Sequence, residues 1–190
     1  VKIPKTYHSA LSGEAQHLRE LDRFETEWGL VFCHDITTGA TLDFVQADCL
    51  YVEPAWQRGY EEFQKRAGQG GEAPPYKEYI TAIRTAIEGF GKPSYVVGGK
   101  HMLKLLAPEH ARPTRLNGFD AQLMMWNCNP PTASTALQVQ DELAKQHDHV
   151  LDFCCGYGLH LTKFKRFTAC DINRKCVYYV AHSYMGYDRA

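Results

Sequence analysis

Apolar positions along the chain switch between short continuous runs and a spacing of three and four. The runs Gly29–Cys33 (Gly-Leu-Val-Phe-Cys) and Cys49–Val52 (Cys-Leu-Tyr-Val) predict strands buried on both faces. A strand covered on one side only would alternate apolar with polar residues. Tyr76, Tyr79, Ile80, Ile83, Ile87 and Phe90 instead share one helical face, and Gly89 and Gly91 end that helix. Residues 94–97 form another apolar run, closed by Gly98 and Gly99 and followed by a short helix carrying Met102, Leu103 and Leu106. Residues 112–117 and 120–127 flank Gly118 as the arms of a hairpin. Beyond Pro130 and Pro131, Ala136, Val139 and Leu143 mark a further helical face. Residues 149–152 and 167–171 predict two more strands, and Asn173 caps a last helix whose face is Val177, Val180, Ala181 and Tyr184. Near the start, residues 11–27 predict a charged helix with Leu18, Leu21 and Phe24 as its apolar points, and residues 68–75 a loop.

Strands alternating with helices imply an α/β layer architecture around a mainly parallel sheet. A length of 190 residues suits one domain with a sizeable core. With 44% hydrophobic and 23% charged residues, the chain is close to average soluble globular composition, which indicates neither a disordered tail nor a fibrous repeat. The formal net charge of -1 excludes a globally basic nucleic-acid binder, although the charge is unevenly spread. Residues 11–62 hold 11 acids against Arg19, Arg23 and Arg58, whereas 92–115 and 163–175 each carry an excess of four bases. Those basic segments are either solvated surface or an electropositive rim able to hold phosphates. The sequence contains no apolar run of membrane-spanning length and no apolar leader at its start, so a cytosolic address is expected. Seven cysteines without Cys-x-x-Cys spacing predict reduced, mostly buried thiols and no metal site.

The chemistry-bearing segment is Val150-Leu-Asp-Phe-Cys-Cys-Gly-Tyr-Gly158. A strand ending in small and glycine residues lets a ligand approach the backbone, and a helix after it would present its positive end. Asp171 ends the next strand at the offset from Asp152 where an acid meets ribose hydroxyls.

Residues Asp152 to Gly158 resemble the cofactor loop of S-adenosylmethionine-dependent methyltransferases, in the Asp-Pro-Phe-Cys-Gly-Ser-Gly form of the DNA amino-methyltransferases. Leu50-Tyr-Val-Glu-Pro-Ala-Trp56 is similar to that family's catalytic Asp-Pro-Pro-Tyr/Phe/Trp at a strand end; Pro54 and Trp56 match, while Glu53 and Ala55 depart. The catalytic motif stands about a hundred residues before the cofactor loop, as in the family's permuted subclasses. The resemblance implies a circularly permuted Rossmann-like methyltransferase fold, a seven-stranded mainly parallel sheet with helices on both faces, over roughly residues 28–187. Residues 1–27 would be a helical addition to this single domain.

On this resemblance, S-adenosylmethionine would be bound by Asp152, Cys154, Gly156, Tyr157 and Gly158, with Asp171 on the ribose hydroxyls. Asp35 would meet the adenine amine or serve only in a turn, and Tyr157 would cover the cofactor or pack on its loop. The expected reaction is methylation of an exocyclic amine on a nucleic-acid base, adenine N6 in DNA ahead of other acceptors and of RNA. Glu53 would accept an amine proton, the Pro54 carbonyl a second, and Trp56 would stack on the flipped base. Cytosine C5 chemistry is disfavoured because the chain has no Pro-Cys dipeptide. Lys100, Arg112 and Arg115 are the candidate phosphate contacts.

Little chain remains for recognition of a long site, so specificity would be short or borrowed from a partner subunit or second copy. Two other readings use the same residues: a degenerate family member that binds nucleic acid or a partner without catalysing, and a small-molecule methyltransferase.

Overall fold

Five of the apolar runs become parallel neighbours. The computed structural model describes residues 23–38, 46–57, 59–62 and 74–186. Its strands are β1 (Arg23–Glu25), β2 (Gly29–Cys33), β3 (Cys49–Val52), β4 (Ser94–Gly98), β5 (His110–Leu116), β6 (Phe119–Trp126), β7 (His149–Phe153) and β8 (Arg166–Asp171). They form one sheet in the order β1-β2-β8-β7-β3-β4-β6-β5. Strands β2, β8, β7, β3 and β4 run parallel; β1 and the β5–β6 hairpin add antiparallel edges.

The helices are α1 (Tyr76–Phe90), α2 (Met102–Leu106), α3 (Ala136–Gln146) and α4 (Arg174–Met185). They cover both faces, as the alternation along β3 shows. Leu50 and Val52 pack with Ile80, Ile83 and Ile87 of α1 and Met102 and Leu106 of α2. Cys49 and Tyr51 face the other way, into the cluster with Val139 and Leu143 of α3 and Val177 and Val180 of α4. Burial on both sides is why these strands read as unbroken apolar runs.

Local signals set the ends. Gly91 caps α1 at φ 63°, where a left-handed residue costs glycine nothing. Thr135 and Gln138 close a capping box at the start of α3, and the Asn173 side chain accepts the Lys175 N–H at the start of α4. The β5–β6 turn uses Asn117 and Gly118, both at positive φ, as a two-residue hairpin requires.

Three expectations are corrected. Among the described residues the sheet has eight strands, not seven. The eighth is β1, whose residues the helix expected over 11–27 would have included; the part of that helix before residue 23 lies outside the described residues, as does most of the 68–75 loop. Pairing of Arg23–Glu25 with the open edge of β2 overrides the helical spacing of Leu18, Leu21 and Phe24. Finally, residues 154–165 between β7 and β8 hold a single 3-10 turn, Leu161–Lys163, and not a helix. The connection is too short to contain both the glycine loop and several helical turns.

Among the described residues no helix is long and apolar enough to cross a membrane. All seven cysteines are free thiols, and Cys33, Cys49, Cys155, Cys170 and Cys176 are buried.

Candidate active site

From β7 the chain continues to β8 on one side; from β3 it continues to β4 on the other. The crevice outside the carboxyl ends of β7 and β3 is therefore a topological switch point, where open α/β sheets bind ligands. The glycine loop leaves β7 there, and Glu53-Pro54-Ala55-Trp56 leaves β3 beside it.

The glycine loop turns through three left-handed residues, Cys154 (φ 60°), Gly156 (φ 53°) and Gly158 (φ 61°). At Gly158 a Cβ would stand 2.6 Å from Leu161 Cδ1 and 2.8 Å from Val180 Cγ2, so the loop packs on α4 only because this residue has no side chain. At Gly156 a Cβ would meet nothing within 4 Å, which leaves space over the loop.

Asp171, at the end of β8, fixes that loop. Its Oδ2 accepts the Gly156 N–H at 2.8 Å and its Oδ1 the Asn173 N–H at 2.7 Å. Burial pushes the carboxyl up to about 6, against the pull of those two N–H donors. A carboxylate offers about four lone-pair sites, so acceptor capacity remains for ligand hydroxyls. Asp171 lines a pocket with His34, Asp35, Ile36, Tyr79 and Cys154. Asp35 takes the turn role, its Oδ1 accepting the Thr37 N–H at 2.9 Å and the Thr37 hydroxyl at 2.7 Å, while still facing the pocket. Tyr157 packs edge-on against Tyr179, ring centroids 5.3 Å apart.

Asp152 does not line this pocket. It is fully buried within β7, with Oδ2 2.7 Å from His160 Nε2 and Oδ1 lacking a hydrogen-bond partner among the described residues. Burial raises the Asp152 carboxyl, opposed by His160. Burial works against charge on His160, yet Asp152 and then Glu53 raise its pKa on balance.

In the loop after β3, Glu53 Oε1 accepts the Tyr51 hydroxyl and, at 3.1 Å, Gln140 Nε2; the same Gln140 Nε2 donates to the Tyr51 oxygen at 3.0 Å. Burial raises the Glu53 carboxyl, opposed by the His160 charge and by these hydrogen bonds. Pro54 is buried, and the half-buried Trp56 packs against the clusters on both sheet faces. Tyr79 of α1 joins the two loops: its hydroxyl accepts the Ala55 N–H at 3.2 Å and lies 3.4 Å from Cys154 Sγ.

The fold thus joins the loop of Glu53, Pro54 and Trp56 to Cys154 through Tyr79, and Asp171 and Asp35 line the pocket with Cys154; Glu53, Pro54, Trp56, Gly156, Tyr157 and Gly158 are not part of that lining. The basic candidates stand apart. Lys100 is exposed beyond β4. Arg112 and Arg115 lie on β5, three strand spacings or roughly 14 Å from β3. Arg112 turns its Nη2 onto the Ala133 carbonyl, while Arg115 is exposed and 3.7 Å from Asp120. Among the described residues no group of three His, Cys, Asp or Glu side chains could hold a metal ion.

Tyr51, Gln140, His160 and Tyr79 were not among the candidates. The available signal was a polar residue on an apolar stripe: Gln140 adjoins Val139 on the buried face of α3.

No family model and no curated protein matches this sequence. Among solved structures the chain is similar to "crystal structure of M1.HpyAVI", at 11% identity and a TM-score of 0.49 over 80% of this chain and 97% of that one. It is similar also to "crystal structure of M1.HpyAVI-SAM complex", at 10% identity and a TM-score of 0.47 over 80% of this chain and 98% of that one.

Proposed function

We propose that the protein is an S-adenosylmethionine-dependent methyltransferase acting on an exocyclic amine of a nucleic-acid base, adenine N6 in DNA before other acceptors. The observation that carries this reading is the meeting of two motif loops, Glu53 to Trp56 and Cys154 to Gly158, at the switch point of the sheet and across one tyrosine hydroxyl. The permuted motif order belongs to the same reading.

The residues present fit the methyl donor. Space lies over Gly156, where no Cβ intrudes, and the Asp171 carboxyl retains acceptor sites on the pocket wall. S-adenosylmethionine, when bound, supplies an electrophilic methyl group. Asp171 would take the ribose hydroxyls, and the left-handed glycine loop would let the ligand approach the backbone closely. An exocyclic amine is a poor nucleophile because its lone pair is delocalised into the ring. Glu53, whose burial raises its basicity, would draw off an amine proton, and the Pro54 carbonyl would accept a second hydrogen bond. Trp56 offers the aromatic surface for an unstacked base.

A second reading, a methyltransferase-like module that binds nucleic acid without catalysing, is favoured by the occupation of Glu53 Oε1 by two protein donors. Incubation with methyl-labelled S-adenosylmethionine and adenine-containing DNA separates the two. Labelled DNA that disappears with Glu53→Ala or Trp56→Ala, in variants that retain native circular dichroism, supports the enzyme. DNA binding without label supports the module, and label confined to small acceptors would replace both.

A further inference from the structure

We infer that Tyr51 and Gln140 are positioning residues for Glu53, saturating Oε1 from the buried side so that Oε2 alone faces the proton of a substrate amine. This rests on the amino-methyltransferase reading of the site.

Tyr51 is wholly buried on the α3 face of β3, and Glu53 follows it by two residues, the period that returns a side chain to the same face. Gln140 reaches the pair from α3 and is 5% exposed. A primary amide in an apolar cluster is costly unless its groups are bonded, and this one directs Nε2 to the Tyr51 oxygen and to Glu53 Oε1. Among the described residues no hydrogen bond reaches Glu53 Oε2. The titratable groups around Glu53 are Tyr51, His160 and Asp152; Gln140 brings no charge.

Glutamate in place of the family's aspartate adds a methylene and a rotatable bond, and catalytic carboxylates lose rate steeply with small displacements. Two donors on one oxygen remove that freedom. In the step they serve, the amine nitrogen, cationic once its lone pair has bonded the transferred methyl group, would lose a proton: an N–H bond breaks as an O–H bond forms on Oε2. The electron pair stays on nitrogen, and Glu53 later returns the proton to water.

The test uses Tyr51→Phe, which keeps the buried ring, and Gln140→Leu. Carbon-13 glutamate NMR, assigned with Glu53→Gln, follows the carboxyl directly. Donors to a carboxylate favour its charged form, so each variant should raise the Glu53 pKa by about one unit. In methyl transfer to adenine-containing DNA, kcat should fall about ten- to a hundredfold with KM for S-adenosylmethionine unchanged. The acidic limb of the kcat profile should move up with the carboxyl pKa. A carboxyl titration unmoved in both variants, or a loss of kcat with the acidic limb in place, overturns the inference. An inactive wild type would instead overturn the proposed function, and the NMR titration would still decide whether Tyr51 and Gln140 hold the carboxylate.

Discussion

His160 Nε2 lies 2.7 Å from Asp152 Oδ2, where the Asp152 side chain is wholly buried and that of His160 is 11% exposed. Removing one member of such a pair leaves the other charge without compensation, so His160→Leu should cost about 3–5 kcal/mol in urea unfolding at pH 7. Adding Asp152→Asn in that background should recover much of the loss. A loss below about 1 kcal/mol would mean that the pair carries little charge.

The same pair sets a pH dependence. Folding raises the His160 pKa above its ordinary 6.5, so its contribution to stability is complete below that value and is lost as pH rises through the folded value. Unfolding measured at steps from about pH 6 to 9 should show a decline that is missing from His160→Leu.

Asp171 gives the opposite sign for ligand binding. With its carboxyl at about 6, roughly a tenth is ionised at pH 5 and nearly all at pH 7.5. Ribose hydroxyls donate best to the ionised form, so S-adenosylmethionine should bind about tenfold more weakly at the lower pH. Calorimetric titration checks this, and Asp171→Asn should flatten the difference.

The two loop glycines should respond unequally to alanine. Gly156→Ala meets open space and should cost about 1–2 kcal/mol for the left-handed backbone alone. Gly158→Ala adds contacts of 2.6 and 2.8 Å to Leu161 and Val180, and overpacking should take about 1–3 kcal/mol more. Chemical denaturation of the two variants side by side gives the comparison.

Tyr79→Phe should destabilise the fold by only about 1 kcal/mol while freeing the Ala55 N–H and the Cys154 thiol from their shared partner. If Tyr79 joins the two loops functionally, methyl transfer should fall more than the change in stability explains; equal losses would limit it to packing.

The central strands were legible because each is covered on both faces, which leaves an unbroken apolar run in the sequence. Strand β1 was not. Its Arg-Phe-Glu has exposed outer residues, and only the free edge of β2 makes it extended. The short connection after Gly158 was not legible either, because a strand ending in a glycine loop is ordinarily followed by a helix and here a single 3-10 turn, Leu161–Lys163, takes its place. At the site, the glycine loop, Asp171 and Glu53 were visible because their residue types stand at strand ends. The support beneath Glu53 was hidden by distance: Gln140 is 89 residues from Tyr51 and 87 from Glu53. Only the pairing of Tyr51 with Asp152 and the seating of α3 make them neighbours of one another and of His160.

The parallel pairing of β3 with β7 joins Cys49–Val52 to His149–Phe153 and has a consequence for the order of folding. Pairing across so long a stretch of chain must close a large loop before any contact offsets the lost entropy, which makes it slow. On a ribosome, the segment carrying Glu53 and Trp56 emerges early and waits without its neighbour until the glycine loop and β8 have been synthesised. Until then β3 has an open edge, and the α1 side, with β4 and the β5–β6 hairpin, can collapse first. The site is therefore completed only once β7 and β8 have been made, and a nascent protein stalled before residue 149 should hold its aromatic motif without a place for the ligand.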